Sequence, residues 1–178
     1  IYYGTEQELT GMRQTMFKGG VGSLNKDHFD TENTSFKFVQ GLINLRKSNE
    51  VFRGGQLKIL RDNSFGPGLF IYEMTLDEVS ALILINTSES RSLVDGLSLP
   101  TFNPGNYVSK YSIGSGNEIL SVSNDRIMDM ILDPKSAQVY VNTDTLQANV
   151  NLFGTIEINN DFSEILSVPT IQLSGKVE

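Results

Sequence analysis

The sequence predicts a mainly β protein: an antiparallel β-sandwich with an amphipathic helix ahead of it. Three observations carry this. Short apolar or alternating runs recur from Gln56 to Val141. Gly, Pro, Asn and Asp clusters separate those runs. Only Phe36–Lys47 carries its apolar residues at helical rather than alternating spacing.

Taken in order, Ile1-Tyr2-Tyr3 reads as a buried strand that stops at Gly4, and the chain as a whole reads as a piece of a larger protein. Gly11 to Asn33 is rich in Gly, Lys, Asp, Asn and Thr and predicts a long loop. Thr34 or Ser35 is the expected cap of the helix. Phe36, Val39, Leu42 and Ile43 form its apolar stripe, each worth about 1.5–3 kcal/mol if buried. That stripe is expected to cover the sheet or to drive self-association. Gly41 weakens the helix by about 1 kcal/mol relative to Ala and so marks close packing against a neighbour.

Strands are expected at 56–62, 69–74, 81–85, 107–113, 118–122, 126–132 and 137–141. In 69–74, Leu69 and Ile71 share one face and Phe70, Tyr72 and Met74 the other. The wholly apolar run Ala81 to Ile85 predicts a central strand buried on both sides. Beyond Asn142, further strands are expected at 150–153, 155–158 and 170–173. The expected organisation is therefore residues 1–50, a β-sandwich over 51–141, and a further β module or extra strands over 142–178.

Composition narrows the chemistry. A formal net charge of −7 without a basic cluster repels phosphate backbones, so nucleic acid is not an expected partner. No apolar run approaches the roughly 18 residues of a membrane helix. With no Cys there is no disulfide framework and no thiolate chemistry, and a single His (His28) rules out a His-rich metal site. No metal or cofactor is expected. The charge balance leaves the compartment open. Gly19-Gly20-Val21-Gly22 is not a phosphate cradle, since no strand leads into it and no Lys-Ser/Thr pair follows it.

The opening run Ile1-Tyr2-Tyr3-Gly4-Thr5-Glu6-Gln7 resembles the eighth barrel strand of the alpha-amylase family of glycoside hydrolases, family thirteen. Gly4 and Glu6 match the second half of that strand's Gly-x-Pro … Gly-x-Glu pattern. The run Leu42-Ile43-Asn44-Leu45-Arg46-Lys47 resembles the last barrel helix, which often ends in Leu-Arg-Lys. Ala81 to Thr87, and Leu132 to Tyr140, resemble strands of the family's C-terminal β-sandwich. The resemblance covers about residues 1–141.

It implies that residues 1–50 are the last strand, loop and helix of a (β/α)8 barrel. The parent would be an enzyme acting on α-glucosidic bonds of starch-type glucans, extracellular or periplasmic. Its retaining mechanism needs two carboxyl groups about 5 Å apart. In the family these groups lie on barrel strands ahead of the eighth, so no catalytic residue is expected in this chain. The alternative is a β-sandwich that itself binds carbohydrate.

Each candidate residue carries a bland reading beside the functional one. Glu6 anchors a loop or is simply a structural carboxylate. Arg13 resembles a family arginine that forks hydrogen bonds onto sugar hydroxyls. Glu8-Leu9-Thr10-Gly11, however, stands where the family's Asp-Pro pair would come, and Arg13 is equally a surface residue. Tyr2 and Tyr3 stack on a sugar ring or pack the barrel. Tyr107 and Tyr111, four apart, form a small platform on one strand face or cover the sandwich. His28 beside Asp27 and Asp30 is a metal candidate or a solvated loop residue. Asn33-Thr34-Ser35 and Asn86-Thr87-Ser88 match the glycosylation triplet.

Overall fold

The chain divides into two compact units, Ile1–Leu146 and Gln147–Glu178. The computed structural model describes residues 3–114 and 119–145, all in the first unit. The strands expected at 150–153, 155–158 and 170–173 lie outside the described residues.

Helix α1 spans Thr34–Ser48. Its cap is Asn33, one residue before the expected Thr34 or Ser35. The Asn33 backbone is extended, and its side-chain oxygen accepts from the amides of Ser35 (2.7 Å) and Phe36 (3.3 Å). Two amide donors that the helix cannot satisfy are thereby met. At the other end the Arg53 guanidinium donates to the carbonyls of Arg46 (3.1 Å) and Lys47. Arg53 belongs to a one-turn helix α2, Val51–Gly54. Arg46 donates in return to the Phe52 carbonyl, so the two helices clamp each other at an angle.

Among the described residues ten strands follow: β1 Gln56–Arg61, β2 Leu69–Leu76, β3 Val79–Asn86, β4 Ser92–Val94, β5 Gly105–Val108, β6 Tyr111–Ile113, β7 Ile119–Ser123, β8 Arg126–Ile127, β9 Met130–Leu132 and β10 Ser136–Val141. Every pairing is antiparallel. One sheet has the order β1-β2-β3-β10-β6; two smaller ones are β5-β7-β8 and β4-β9. The fold is a β-sandwich, as expected. Leu69, Ile71, Leu82, Leu84 and Tyr140 of the large sheet meet Val94, Tyr107, Leu120, Val122, Ile127, Met130 and Leu132 of the small ones.

The predicted central strand is confirmed. Leu82 and Leu84 enter that core, while Ala81 and Ile83 face the other side against Val51 and Phe52 of α2. The division of β2 into a Leu69/Ile71 face and a Tyr72/Met74 face also holds.

Two expected strands are each broken in two. The run 107–113 changes sheets at Ser109-Lys110: Tyr107 pairs with Leu120 in one sheet, Tyr111 with Val139 in the other. The run 126–132 changes at Met128-Asp129, leaving β7 for β4. Alternation continues across the first break, so local periodicity does not register it; across the second it slips, with Met128 and Asp129 both exposed between buried Ile127 and Met130. Strand β4 was not expected at all. After β10 the chain stays on the sandwich, with Asn142 donating to the carbonyls of Glu78 and Thr101, each at 3.0 Å.

Helix α1 lies on the outer face of the large sheet by a different stripe from the one predicted. Phe38, Gly41 and Leu45, spaced three and four apart, form the contact. The Phe38 and Tyr111 rings are 6.4 Å apart, and Leu45 packs on the Val51–Val139 cluster. The expected role of Gly41 holds: a Cβ there would lie 2.9 Å from the Tyr111 ring. Phe36 and Val39 are half-buried, whereas Leu42 and Ile43 stay 38% and 43% exposed. The Phe36–Val39–Ile43 stripe thus faces away from the sheet. The wheel was misjudged because Gly41 interrupts the contact face and makes it look weakly apolar.

The carboxyls of Asp95 and Asp129, just outside β4 and β9, come together at the surface. The hydrogen bond with Asp95, and then its charge, hold the Asp129 carboxyl above the ordinary carboxylate range. A carboxyl raised on folding stabilises the fold when protonated and loses that contribution as pH rises through its folded value. Asp129→Asn should therefore raise the urea midpoint at neutral pH, with the gain vanishing below the ordinary carboxylate range. An equal gain at both pH values would refute the repulsion. Both side chains are exposed, so solvent and salt screen the effect.

Candidate functional site

Gly4 is buried at φ +79°, and a Cβ there would sit 2.5 Å from Leu9 Cδ1. The left-handed conformation favours Gly on its own, and the contact removes the space as well. The chain turns at Gly4 into a short 3-10 helix, Thr5–Gln7, closed by hydrogen bonds from the amides of Gln7 and Leu9 to the Gly4 carbonyl. Tyr3 lies in a turn and is 49% exposed. Ile1 and Tyr2 lie outside the described residues.

Loop anchoring falls to the neighbours of Glu6. Gln7 exchanges two hydrogen bonds with the Asp30 backbone, donating to its carbonyl at 3.0 Å and accepting from its amide at 2.9 Å. Glu8 accepts from Ser35 Oγ at 2.7 Å, tying the 3-10 helix to the first turn of α1. Glu6 itself is half-buried and lines a groove of about 420 Å³ with Phe36, Val39, Gln40, Ile43, Asn44 and Lys47. Arg13 is exposed, at φ +55° in a turn. Neither Arg13 nor Tyr3 lines this groove or the one described next.

The long loop is internally ordered. His28 Nε2 donates to the Ser23 carbonyl at 3.0 Å, and its amide to the Met16 carbonyl at 2.7 Å. The Phe17 and Phe29 rings meet edge-on at 5.0 Å. His28 therefore pins the loop rather than hanging in solvent. Among the described residues no group of three or more His, Asp or Glu side chains is placed to hold a metal.

Two other expectations change. Tyr107 and Tyr111 do not form a platform. Tyr107 is wholly buried and donates to the Asn103 carbonyl at 2.7 Å; Tyr111 lies under α1 on the other sheet and donates to the Phe38 carbonyl. Burial raises both phenols above their ordinary value. Asn86, first residue of a glycosylation triplet, is 1% exposed and cannot accept a glycan while folded.

Sequence reasoning did not find a second groove, of about 470 Å³, at the end of the β1–β2 hairpin. Arg61, Asp62, Asn63, Ser88 and Ser92 make its wall polar. Phe65, fully exposed, stands on the loop that forms one side. An aromatic among Asn, Ser, Gly and Pro was the available signal. It was read only as a turn.

Comparison with known proteins places this geometry. No family model matches the chain. The chain is 31% identical over 107 residues to a cyclomaltodextrin glucanotransferase of Paenibacillus macerans, covering 60% of this chain and 14% of the relative. It is 32% identical over 127 residues to the cyclomaltodextrin glucanotransferase of Niallia circulans, covering 69% and 16%. The chain thus spans only a small part of the curated relatives it matches. Among solved structures, a cyclomaltodextrin glucanotransferase with a three-domain ABC distribution superposes with a TM-score of 0.58 at 21% identity, over 80% of this chain and 28% of that one. An Anoxybacillus alpha-amylase gives a TM-score of 0.55 at 22% identity, over 78% and 27%. The chain is thus related in sequence to part of the cyclomaltodextrin glucanotransferases, and its β-sandwich has the fold seen in alpha-amylase-family structures, in line with the motifs around Gly4, Arg46 and Ala81.

Proposed function

We propose that this chain is the C-terminal, accessory part of a longer enzyme acting on α-glucosidic bonds of starch-type glucans, and that it does not break those bonds itself. In this reading residues 1–50 are the end of the catalytic barrel, 51–141 the C-terminal sandwich and 142–178 the start of a further β module. The observation that carries it is the pairing of a β-sandwich fold with coverage of only 14% and 16% of two glucanotransferase relatives. The chemistry agrees. Retaining cleavage needs two carboxyls about 5 Å apart flanking a substrate cleft. The pair brought together here, Asp95 and Asp129, is exposed and lines neither groove. The purified 178-residue chain should release no reducing sugar from soluble starch; measurable release would sink the proposal.

A second reading, that the sandwich binds glucan, rests on the Arg61–Ser92 groove. Planar polar side chains suit sugar hydroxyls, and an exposed aromatic suits the C–H face of the ring. Titration calorimetry with maltoheptaose should show millimolar binding. Phe65→Ala should weaken it roughly five- to tenfold, the equivalent of about 1–1.4 kcal/mol of ring contact. Flat heats with the unaltered chain would rule this reading out.

A further inference from the structure

Asp95 and Gly96 follow β4 directly, and no other Asp-Gly pair occurs in the chain. Asp95 is exposed, and Gly96 turns the backbone at φ +57°. Among the described residues the Gly96 amide has no acceptor, so no hydrogen bond holds its nitrogen away from the Asp95 carboxyl. Glycine also puts no side chain beside that nitrogen. The Gly96 carbonyl accepts from Arg126 Nη1 at 3.3 Å, which sets a guanidinium beside the same glycine. Asp129, hydrogen-bonded to Asp95, places a proton donor at the carboxyl. The segment belongs to the small-sheet layer, across the core from the face that α1 and α2 cover, so a barrel continuing from residues 1–50 does not account for its exposure.

We propose that Asp95-Gly96 is a site of spontaneous backbone isomerisation in the folded chain, promoted by the Arg126 guanidinium. The Gly96 amide loses its proton to solvent, and its nitrogen bonds to Asp95 Cγ. The Cγ–O bond breaks, and the departing oxygen leaves as water, carrying the carboxyl's own proton and one delivered by Asp129 or solvent. A succinimide ring remains. One water then opens it at either carbonyl. One opening restores aspartate; the other routes the main chain through the Asp95 side chain as isoaspartate. A water leaves and a water enters, so the mass is unchanged and nothing is oxidised or reduced. The cation beside Gly96 favours the amide anion that attacks. Isoaspartate adds one methylene to the main chain, in a segment pinned on both sides. Val94 is wholly buried and pairs with Met130, and the Leu97 carbonyl accepts from the Ile127 amide at 2.9 Å. Leu99, wholly buried, follows. The product therefore strains the closure of the sandwich, and the pair acts as a timer on this domain. The inference stands apart from the glucan-related readings; its test reads a peptide, not sugar.

The test incubates the full chain near neutral pH, folded in buffer and unfolded in urea, and follows isoaspartate at Asp95 by peptide mapping and isoaspartyl methyltransferase labelling. Circular dichroism confirms that each variant is folded. The folded chain should isomerise at least as fast as the unfolded one. Arg126→Gln should slow the folded reaction roughly three- to tenfold, the effect of losing up to one unit of charge-induced acidity at an exposed amide, and leave the unfolded rate alone. Gly96→Asn keeps a residue that tolerates the left-handed turn, and a Cβ there meets only Arg126 Nη1, at 3.6 Å. That variant should fold and lose most of the reaction. Aged chain should unfold at lower urea than fresh chain, in proportion to its isoaspartate. A folded rate below the unfolded rate overturns the proposal. So does an Arg126→Gln chain that isomerises as fast as the unaltered one when folded.

Discussion

Asn86→Asp is expected to lower the unfolding free energy at neutral pH by about 3–5 kcal/mol, the usual cost of leaving a buried charge without a partner. Asn86 ends the central strand β3 and is 1% exposed. Its side-chain nitrogen donates to the carbonyls of Ser90 (2.8 Å), Asp133 (2.9 Å) and Leu132 (3.2 Å). Its oxygen accepts from the Ser88 amide at 3.1 Å and hydroxyl at 2.8 Å. One amide thus ties the β3–β4 turn to the chain between β9 and β10. An aspartate keeps the accepting side but turns a carboxylate oxygen towards three carbonyls that have lost their donor. Protonation would return one donor, so the deficit should shrink as pH falls through the raised pKa of the buried acid. Urea unfolding of the variant at neutral and acidic pH checks this. An Asn86→Asp midpoint within error of the unaltered chain would show that the turn is not held by this residue.

This knot shows what the sequence could and could not disclose. Asn86 was visible only as part of a turn and of a glycosylation triplet, because a side chain's acceptors 46 and 47 residues away leave no local mark. The strand it ends was legible. Ala81–Ile85 is apolar at every position, and only a strand covered on both faces uses such a run. The division of β2 into two faces was legible for the related reason that the side-chain period in a strand is two. The sheet change at Ser109-Lys110 was hidden, since the chain keeps alternating through it; the one at Met128-Asp129 leaves a slip in burial that shows only once the partners of Ile127 and Met130 are known. On α1 the sequence located the helix but not the face against the sheet. A stripe containing glycine scores poorly as apolar, yet that glycine admits the Tyr111 ring.

The candidate site was less legible still. Gly4 was read as a motif match at a turn, and the structure gives it a positive φ and a close Leu9 contact. Glu6 was read as a loop anchor or a structural carboxylate, while the hydrogen bonds seen across the long loop come from its neighbours Gln7 and Glu8 to Asp30 and Ser35. Residue type alone does not tell which of three adjacent polar side chains reaches back. The polar groove beside Phe65 escaped notice because its two walls come from segments about 25 residues apart, each reading as an ordinary turn.

Phe102→Ala should be the most damaging apolar truncation in the connections between strands, at about 3–5 kcal/mol. Phe102 sits on the loop between β4 and β5, held by a turn from its amide to the Leu99 carbonyl at 3.2 Å. It is nevertheless wholly buried, and its ring meets Tyr107 edge-on with centroids 4.9 Å apart at 70°. The loop thus supplies a layer of core between the two sides of the sandwich, alongside Leu99, which is also fully buried. Removing the ring leaves a cavity among Tyr107 and the neighbouring core side chains, which strands on both sides hold in place and which cannot collapse freely. Net stability of a domain is about 5–15 kcal/mol, so this one truncation removes a third or more of a typical value. Leu93→Ala is the matched control, since Leu93 is an apolar residue on β4 that is 50% exposed, and it should cost well under 1 kcal/mol. Urea unfolding followed by circular dichroism separates the two. If Phe102→Ala and Leu93→Ala shift the midpoint equally, the loop does not carry core, and the sandwich is closed by its strands alone.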